Sequence, residues 1–158
     1  MRSLGCWAAV GFLLAVCVSP LVEASPTAWV EVVAEDPEGE AFRPVVEGAV
    51  RYRLEGLGLA VRLHGSLQGS ARSGRSPTPS APFLESAGRA GAEFALECRY
   101  AGSGSRLSLL LNWYELPARL MTAAVDRKGR VDLELDTLIL DALDELLNRV
   151  KGRVEERV

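Results

Sequence analysis

Histidine and cysteine are scarce in this chain, and their scarcity removes whole classes of chemistry. His64 is the single histidine, and two of the three cysteines, Cys6 and Cys17, fall in an apolar N-terminal run. A zinc centre built from histidines is excluded, and Cys98 is too isolated to help assemble one. A lone thiol forms no intramolecular disulfide, so burial of apolar side chains must hold the fold together. Basic charge is also in short supply. Lys and Arg number 18 against 21 Asp and Glu, a net charge of −3. That balance argues against nucleic acid as a partner, because phosphate recognition shows as a concentrated basic surface. Phosphate-cradling glycine motifs of the Gly-x-x-x-x-Gly-Lys or Gly-x-Gly-x-x-Gly kind are missing. So is a Gly-x-Ser-x-Gly elbow for a hydrolase nucleophile.

What is there begins with the N-terminus. Arg2 supplies a positive start, Cys6 to Val18 form an apolar run, and Val22-Glu23-Ala24 reads as the approach to a cleavage site between Ala24 and Ser25. About 13 apolar residues fall short of the ~20 that cross a bilayer as a helix. Residues 1–24 are therefore read as a cleavable export signal. Its removal takes away Arg2 and Glu23, one charge of each sign, and leaves the net charge at −3. A second reading uses Leu14-Ala15-Val16-Cys17, which resembles a bacterial lipobox with Val16 in place of the usual small residue. In that reading Cys17 carries a lipid, and only then does the protein touch a membrane. Both readings place the rest of the chain in the periplasm or cell envelope.

Behind the signal, residues 25–152 read as one domain, with a charged tail over 153–158. Ala28, Val30, Val32 and Ala34 alternate with Trp29, Glu31, Val33 and Glu35, the period of a strand. Asp36-Pro37-Glu38 starts a helix, and Phe42, Val45, Val46, Ala49, Val50, Arg53 and Leu54 recur at helical spacing. Pro44 requires that helix to begin near Ala41, and Gly56 and Gly58 end it. A strand follows through Leu59, Val61 and Leu63. Residues 65–80, rich in Gly, Ser, Arg and Pro, form a flexible loop. A short helix carries Phe83, Leu84 and Ala87, and strands run over Glu93–Tyr100 and Arg106–Tyr114 around a hairpin loop at residues 101–105. A fifth strand spans Arg119–Val125 with an exit turn at Asp126–Gly129, and Asp136 caps a last helix ending at Gly152. The order β-α-β-loop-α-β-β-β-α predicts an α/β (α+β) fold, a mixed sheet of about five strands with helices packed on it.

Candidate functional residues are few. His64 beside a serine-rich loop is the one position from which a secreted hydrolase could be built, and a hydrogen-bonded histidine at a strand end is the plainer reading. Asp132 and Glu134 alternate out of phase with their apolar neighbours, while Asp141, Asp144 and Glu145 lie on the polar side of the last helix. Both groups read as solvated faces rather than paired catalytic acids, which need a cleft. Cys98 alternates with Phe94, Leu96 and Tyr100 and reads as core, as does Trp113 among leucines. Trp29 and Tyr114 fall out of phase with the apolar faces of their strands. They are the candidate contacts for another protein, unless a helix covers that side of the sheet. Arg72 and Arg75 could meet an acidic partner. No metal or cofactor is expected.

Four segments carry a family likeness: Asp36-Pro37-Glu38, Leu57-Gly58-Leu59-Ala60-Val61, Gly91-Ala92-Glu93-Phe94 and the hairpin strand Arg106–Tyr114. Together with the final helix they resemble the amino-terminal domain of TolB and the related CsgG/LpoB-like modules of the bacterial envelope. The chain differs from TolB in having no propeller, and Leu116-Pro117-Ala118 replaces the usual Thr-Gly after the hairpin. The resemblance implies a non-enzymatic envelope module whose partners are other envelope proteins.

Overall fold

The computed structural model describes residues 25–65, 81–131 and 135–156. The expected signal segment 1–24, with Cys17 and Ala24, lies outside them. So do most of the loop over 65–80, including Arg72 and Arg75, and the acids Asp132 and Glu134.

Five strands form one sheet in the order β2-β1-β3-β4-β5: β1 Thr27–Ala34, β2 Ala60–His64, β3 Phe94–Ser103, β4 Arg106–Glu115 and β5 Leu120–Arg130. β1 is parallel to both of its neighbours, and β3, β4 and β5 form an antiparallel meander. Helices α1 (Arg43–Glu55) and α3 (Leu135–Glu155) pack on one face, and α2 (Ala81–Arg89) packs on the other. The mixed sheet and the order of elements are those expected from the sequence.

Alternation decides which side chains meet. Ala28, Val30, Val32, Phe94, Leu96, Cys98, Tyr100, Leu107, Leu109, Leu111 and Trp113 share one face and are buried under α1 and α3. Helix α1 contributes Val46, Val50 and Leu54, one residue per turn. Its apolar stripe is narrower than the sequence reading, since Val45 points outward and is 37 % exposed. The start of α1 is prepared by a 3-10 turn, Gly39–Phe42, whose Gly39 N–H donates to Asp36 Oδ1 at 2.5 Å. Asp36 thus caps that turn, and Pro44 sits in the first turn of the α-helix proper, where a missing N–H costs nothing.

Both helices that lead into parallel strands stop in the same way. After α1, Gly58 takes φ +82°, its N–H donates to the Glu55 carbonyl, and Leu59 N–H reaches back to Leu54 at 3.2 Å. After α2, Gly91 takes φ +70° and donates to Gly88, while Ala92 N–H reaches back to Ala87 at 3.1 Å. This paired bonding, with an apolar contact across it (Leu54 with Leu59, Ala87 with Ala92), is the Schellman motif, and it delivers the chain directly into the next strand.

Four boundaries differ from the sequence reading. The hairpin loop expected over 101–105 is only the turn Gly104-Ser105, because Ser103 still pairs with Arg106. Gly102 belongs to β3 because the 3-10 turn docks on it. A Cβ there would stand 3.3 Å from the Gly39 backbone and 3.2 Å from Phe42. β5 runs on through Asp126–Gly129, the expected exit turn, paired to β4 as far as Arg130. Gly129 serves packing instead, since a Cβ there would lie 2.7 Å from Leu138 of α3. Finally, α3 begins at Leu135, which puts Asp136 in its first turn rather than at the cap, and it passes Gly152 to bury Val154.

Candidate interaction surfaces

The second face of the sheet carries the polar residues of the strands, and its register brings them together. Glu31 lies beside Glu97, and Glu97 beside Asn112. Glu97 is 2 % exposed, and Asn112 and Arg99 are buried with it. Asn112 Nδ2 donates to Glu97 Oε2 at 3.1 Å, and the Tyr114 hydroxyl donates to the same oxygen at 3.4 Å. Arg99 Nε stands 3.5 Å from Glu97 Oε1 and 4.0 Å from Glu35. The carboxylate is therefore matched on both oxygens, as a buried charge must be. The cluster holds a buried carboxylate with two hydrogen bonds on one oxygen and an ion pair on the other.

Tyr114 is corrected by this geometry. It is 1 % exposed, packed with Phe83, Leu84, Ala87, Ala95 and Leu116 beneath α2. Helix cover, the alternative to a surface anchor, is what the structure has. Trp29 is half-buried at the edge of the same cluster. Its ring stands 5.7 Å from His64, and His64 is 6.1 Å from Phe83. His64 therefore sits between two aromatic rings, a packing role for the residue on which a hydrolase would depend. Ser25, the expected mature N-terminus, is exposed immediately before β1.

The acids of α3 have structural partners. Asp144 pairs with Arg53, bracing α3 to α1. Glu145 pairs with Arg127 of β5 and with Arg149, whose guanidinium also donates to the Ala124 carbonyl at 2.6 Å. These are ion pairs on a surface, worth a few tenths of a kcal/mol to about 1 each. Asp141 stays exposed on the same helix. Among the described residues no group of three or more His, Cys, Asp or Glu side chains could hold a metal ion, and no helix is long and apolar enough to cross a membrane.

Burial also sets the ionisation of three core groups. Desolvation pushes the Cys98 thiol and the Tyr100 and Tyr114 hydroxyls well above their ordinary values, with the Glu97 charge adding to the shift at Cys98 and Tyr114. The thiol is buried and protonated, hence inert. For the phenols the native state keeps protons that the unfolded chain releases above about pH 10, so stability falls as pH rises beyond that point. In a Tyr52→Phe background only the two buried phenols remain. Tyrosinate absorbance is expected to appear together with the loss of far-ultraviolet circular dichroism on alkaline titration. Tyrosinate forming in a still-folded protein would contradict this burial.

The polar cluster escaped the sequence reading, which gave Glu97 and Arg99 no role. The available signal was Asn112 and Tyr114 on the polar side of β4, but it becomes meaningful only with the register.

No family model matches the chain, and no curated protein matches it in sequence. Solved structures do match. The PelC dodecamer of Paraburkholderia phytofirmans is 15 % identical, with 82 % of this chain and 89 % of that one covered and a TM-score of 0.52. Lipoprotein GNA1162 of Neisseria meningitidis is 12 % identical, with 79 % and 97 % covered and a TM-score of 0.50. TolB of Acinetobacter baumannii is 13 % identical over 78 % of this chain and 28 % of its own length, with a TM-score of 0.47. At these identities the likeness to PelC and GNA1162 is one of fold alone.

Proposed function

We propose that this protein is exported to the bacterial periplasm or envelope and acts there by binding other proteins, without chemistry of its own. The observation that carries the reading is the fold held in common with the PelC dodecamer and lipoprotein GNA1162 across four-fifths of the chain. The export signal read from residues 1–24 supports it. So does the use already made of the reactive side chains, with His64 between rings, Glu97 buried against Asn112, Tyr114 and Arg99, and Asp144 and Glu145 in ion pairs. PelC is a dodecamer, so further copies of this chain are among the proposed partners. Trp29, half-buried at the rim of the α2 cluster, is the retained contact residue. Arg72 and Arg75 are proposed contacts for an acidic partner.

Fractionation followed by crosslinking in intact cells tests this. The expected result is protein in the envelope fraction, crosslinked to itself or to another envelope protein, with the same products from a His64→Ala variant. Recovery as an uncrosslinked monomer from the cytosol, or loss of biological activity in His64→Ala with the fold intact, would reject it.

A second form of the reading is favoured by one observation. Pro26 is already buried and its carbonyl accepts from Ala60 N–H at 2.9 Å, so cleavage after Ala24 leaves a single residue ahead of the folded domain. Acylation at Cys17 leaves eight residues, the kind of spacer a tethered domain needs. The similarity to a lipoprotein supports the same form. The mass of the mature N-terminal peptide distinguishes free Ser25 from acylated Cys17.

A further inference from the structure

The two ends of the sheet differ in character. One end is marked by backbone bonds that step across the strands: Ala60 N–H to the Pro26 carbonyl, Glu93 N–H to Thr27, and Leu116 N–H to Glu93, with Leu120 paired to Glu115 beside them. The chain comes into the domain here, through Ser25 and Pro26. Five large apolar side chains are exposed among the described residues, and three of them, Leu57 at 38 %, Leu120 at 57 % and Met121 at 47 %, belong to this end. Val45 and Tyr52, the other two, lie on the outer side of α1. Exposed Pro117, Ala118 and Arg119 fill the turn between β4 and β5 at the same end. At the opposite end stand the turn Gly104-Ser105, Glu38, Arg106 and Arg130, all exposed, with no large apolar side chain exposed among the described residues there.

We propose that the end bearing Leu57, Leu120 and Met121 faces a lipid bilayer and rests in its headgroup boundary. The proposal depends on the Cys17-anchored form of the function above. Eight residues separate Cys17 from Pro26, and at 3.3–3.6 Å per residue they reach at most about 30 Å. An anchor that short holds this end, and not the Gly104 end, against the membrane. Leu57, just past the end of α1, lines one groove with Leu147 and Val154 of α3, while Leu120 opens β5, so the domain offers apolar side chains from two elements at this end. Leucine and methionine suit this position because their apolar ends enter the acyl boundary, while Arg119 between them keeps its charge at headgroup level. A protein partner at this end is the competing occupant, and the experiment separates the two.

The test uses full-length protein purified from membranes and reconstituted in phosphatidylethanolamine–phosphatidylglycerol vesicles, with a spin label at Met121→Cys or at Ser105→Cys. Cys98, buried in the core, is out of reach of the label. Both substituted positions are exposed, so the fold tolerates the change, and circular dichroism verifies it. The label at position 121 is expected to collide with oxygen and lose collisions with a water-soluble nickel chelate, while the label at 105 shows the reverse. The shielding at 121 is further expected to vanish in a Leu57→Asn, Leu120→Asn double variant that remains anchored. Equal nickel access at the two labels in an acylated protein overturns this inference alone. A mature N-terminus at Ser25 overturns the anchored reading and the inference with it. Shielding at 121 that appears only when envelope extract is added assigns the end to a protein and overturns the lipid contact.

Discussion

Trp113→Ala is expected to lower the unfolding free energy by about 3–5 kcal/mol, the usual cost of deleting a buried tryptophan. The ring is fully buried at the centre of the sheet, 5.2 Å from Phe94, with Leu96 opposite on β3 and Ala123 opposite on β5. Small neighbours such as Ala123 cannot grow into the space, and the rigid sheet beneath does not collapse, so a cavity persists. Against a total stability of about 5–15 kcal/mol for a domain of this kind, the loss is a large fraction. Urea unfolding followed by circular dichroism should show a lower midpoint with an unchanged slope. Tyr52→Ala on the outer side of α1, at 71 % exposure, serves as the control and is expected to change stability by about 0.5 kcal/mol or less. A Trp113→Ala variant as stable as that control would remove Trp113 from the core and with it the register of β3 on β4.

That register shows where the sequence is legible and where it stops being so. Alternation in Ala28–Val32, Phe94–Tyr100 and Leu107–Trp113 identified the core face correctly, because a period of two leaves only one way to bury a strand's apolar side. The glycine segments were legible too, for a reason their residues supply. Gly58-Leu59 and Gly91-Ala92 each pair a left-handed glycine with a small or apolar residue that closes on the preceding turn. Two of the four segments that carried the family likeness are thus caps of helices running into parallel strands. They report how the chain turns, not what it binds.

The second face was not legible. Whether Tyr114 meets water, α2 or a partner depends on a nine-residue helix whose placement no periodicity encodes. Gly102 and Gly129 misled in a related way. Their composition says turn, but each is small because a neighbour, Gly39 in one case and Leu138 in the other, occupies the space of its side chain. Asp126, Arg127 and Lys128 read as a turn for want of apolar residues, yet an edge strand tolerates charge on its open side, and Arg127 gains an ion pair with Glu145.

The buried carboxylate gives the second large effect. Glu97→Ala removes the group on which Asn112, Tyr114 and Arg99 converge and takes an acid partner from a buried guanidinium that also stands 4.0 Å from Glu35. Breaking a buried pair from one side costs about 3–5 kcal/mol, and this case is expected at the lower end of that range. Replacing both charges at once reverses the logic. In Glu97→Leu, Arg99→Met neither charge is desolvated and apolar side chains of similar volume join the α2 cluster, while Asn112 and Tyr114 lose their acceptor, so the double is expected to cost less than the sum of its single changes but not to exceed the parent's stability. Unfolding measured on Glu97→Leu, on Arg99→Met and on the double completes the cycle and isolates the coupling between the charges. Should Glu97→Ala cost under about 1 kcal/mol, the carboxylate would be solvated rather than buried. A double variant as damaged as the sum of its parts would mean that the polar cluster is needed for the packing of the second face. Between those outcomes lies the one the geometry supports: a buried, paired charge that sets how β3, β4 and α2 meet.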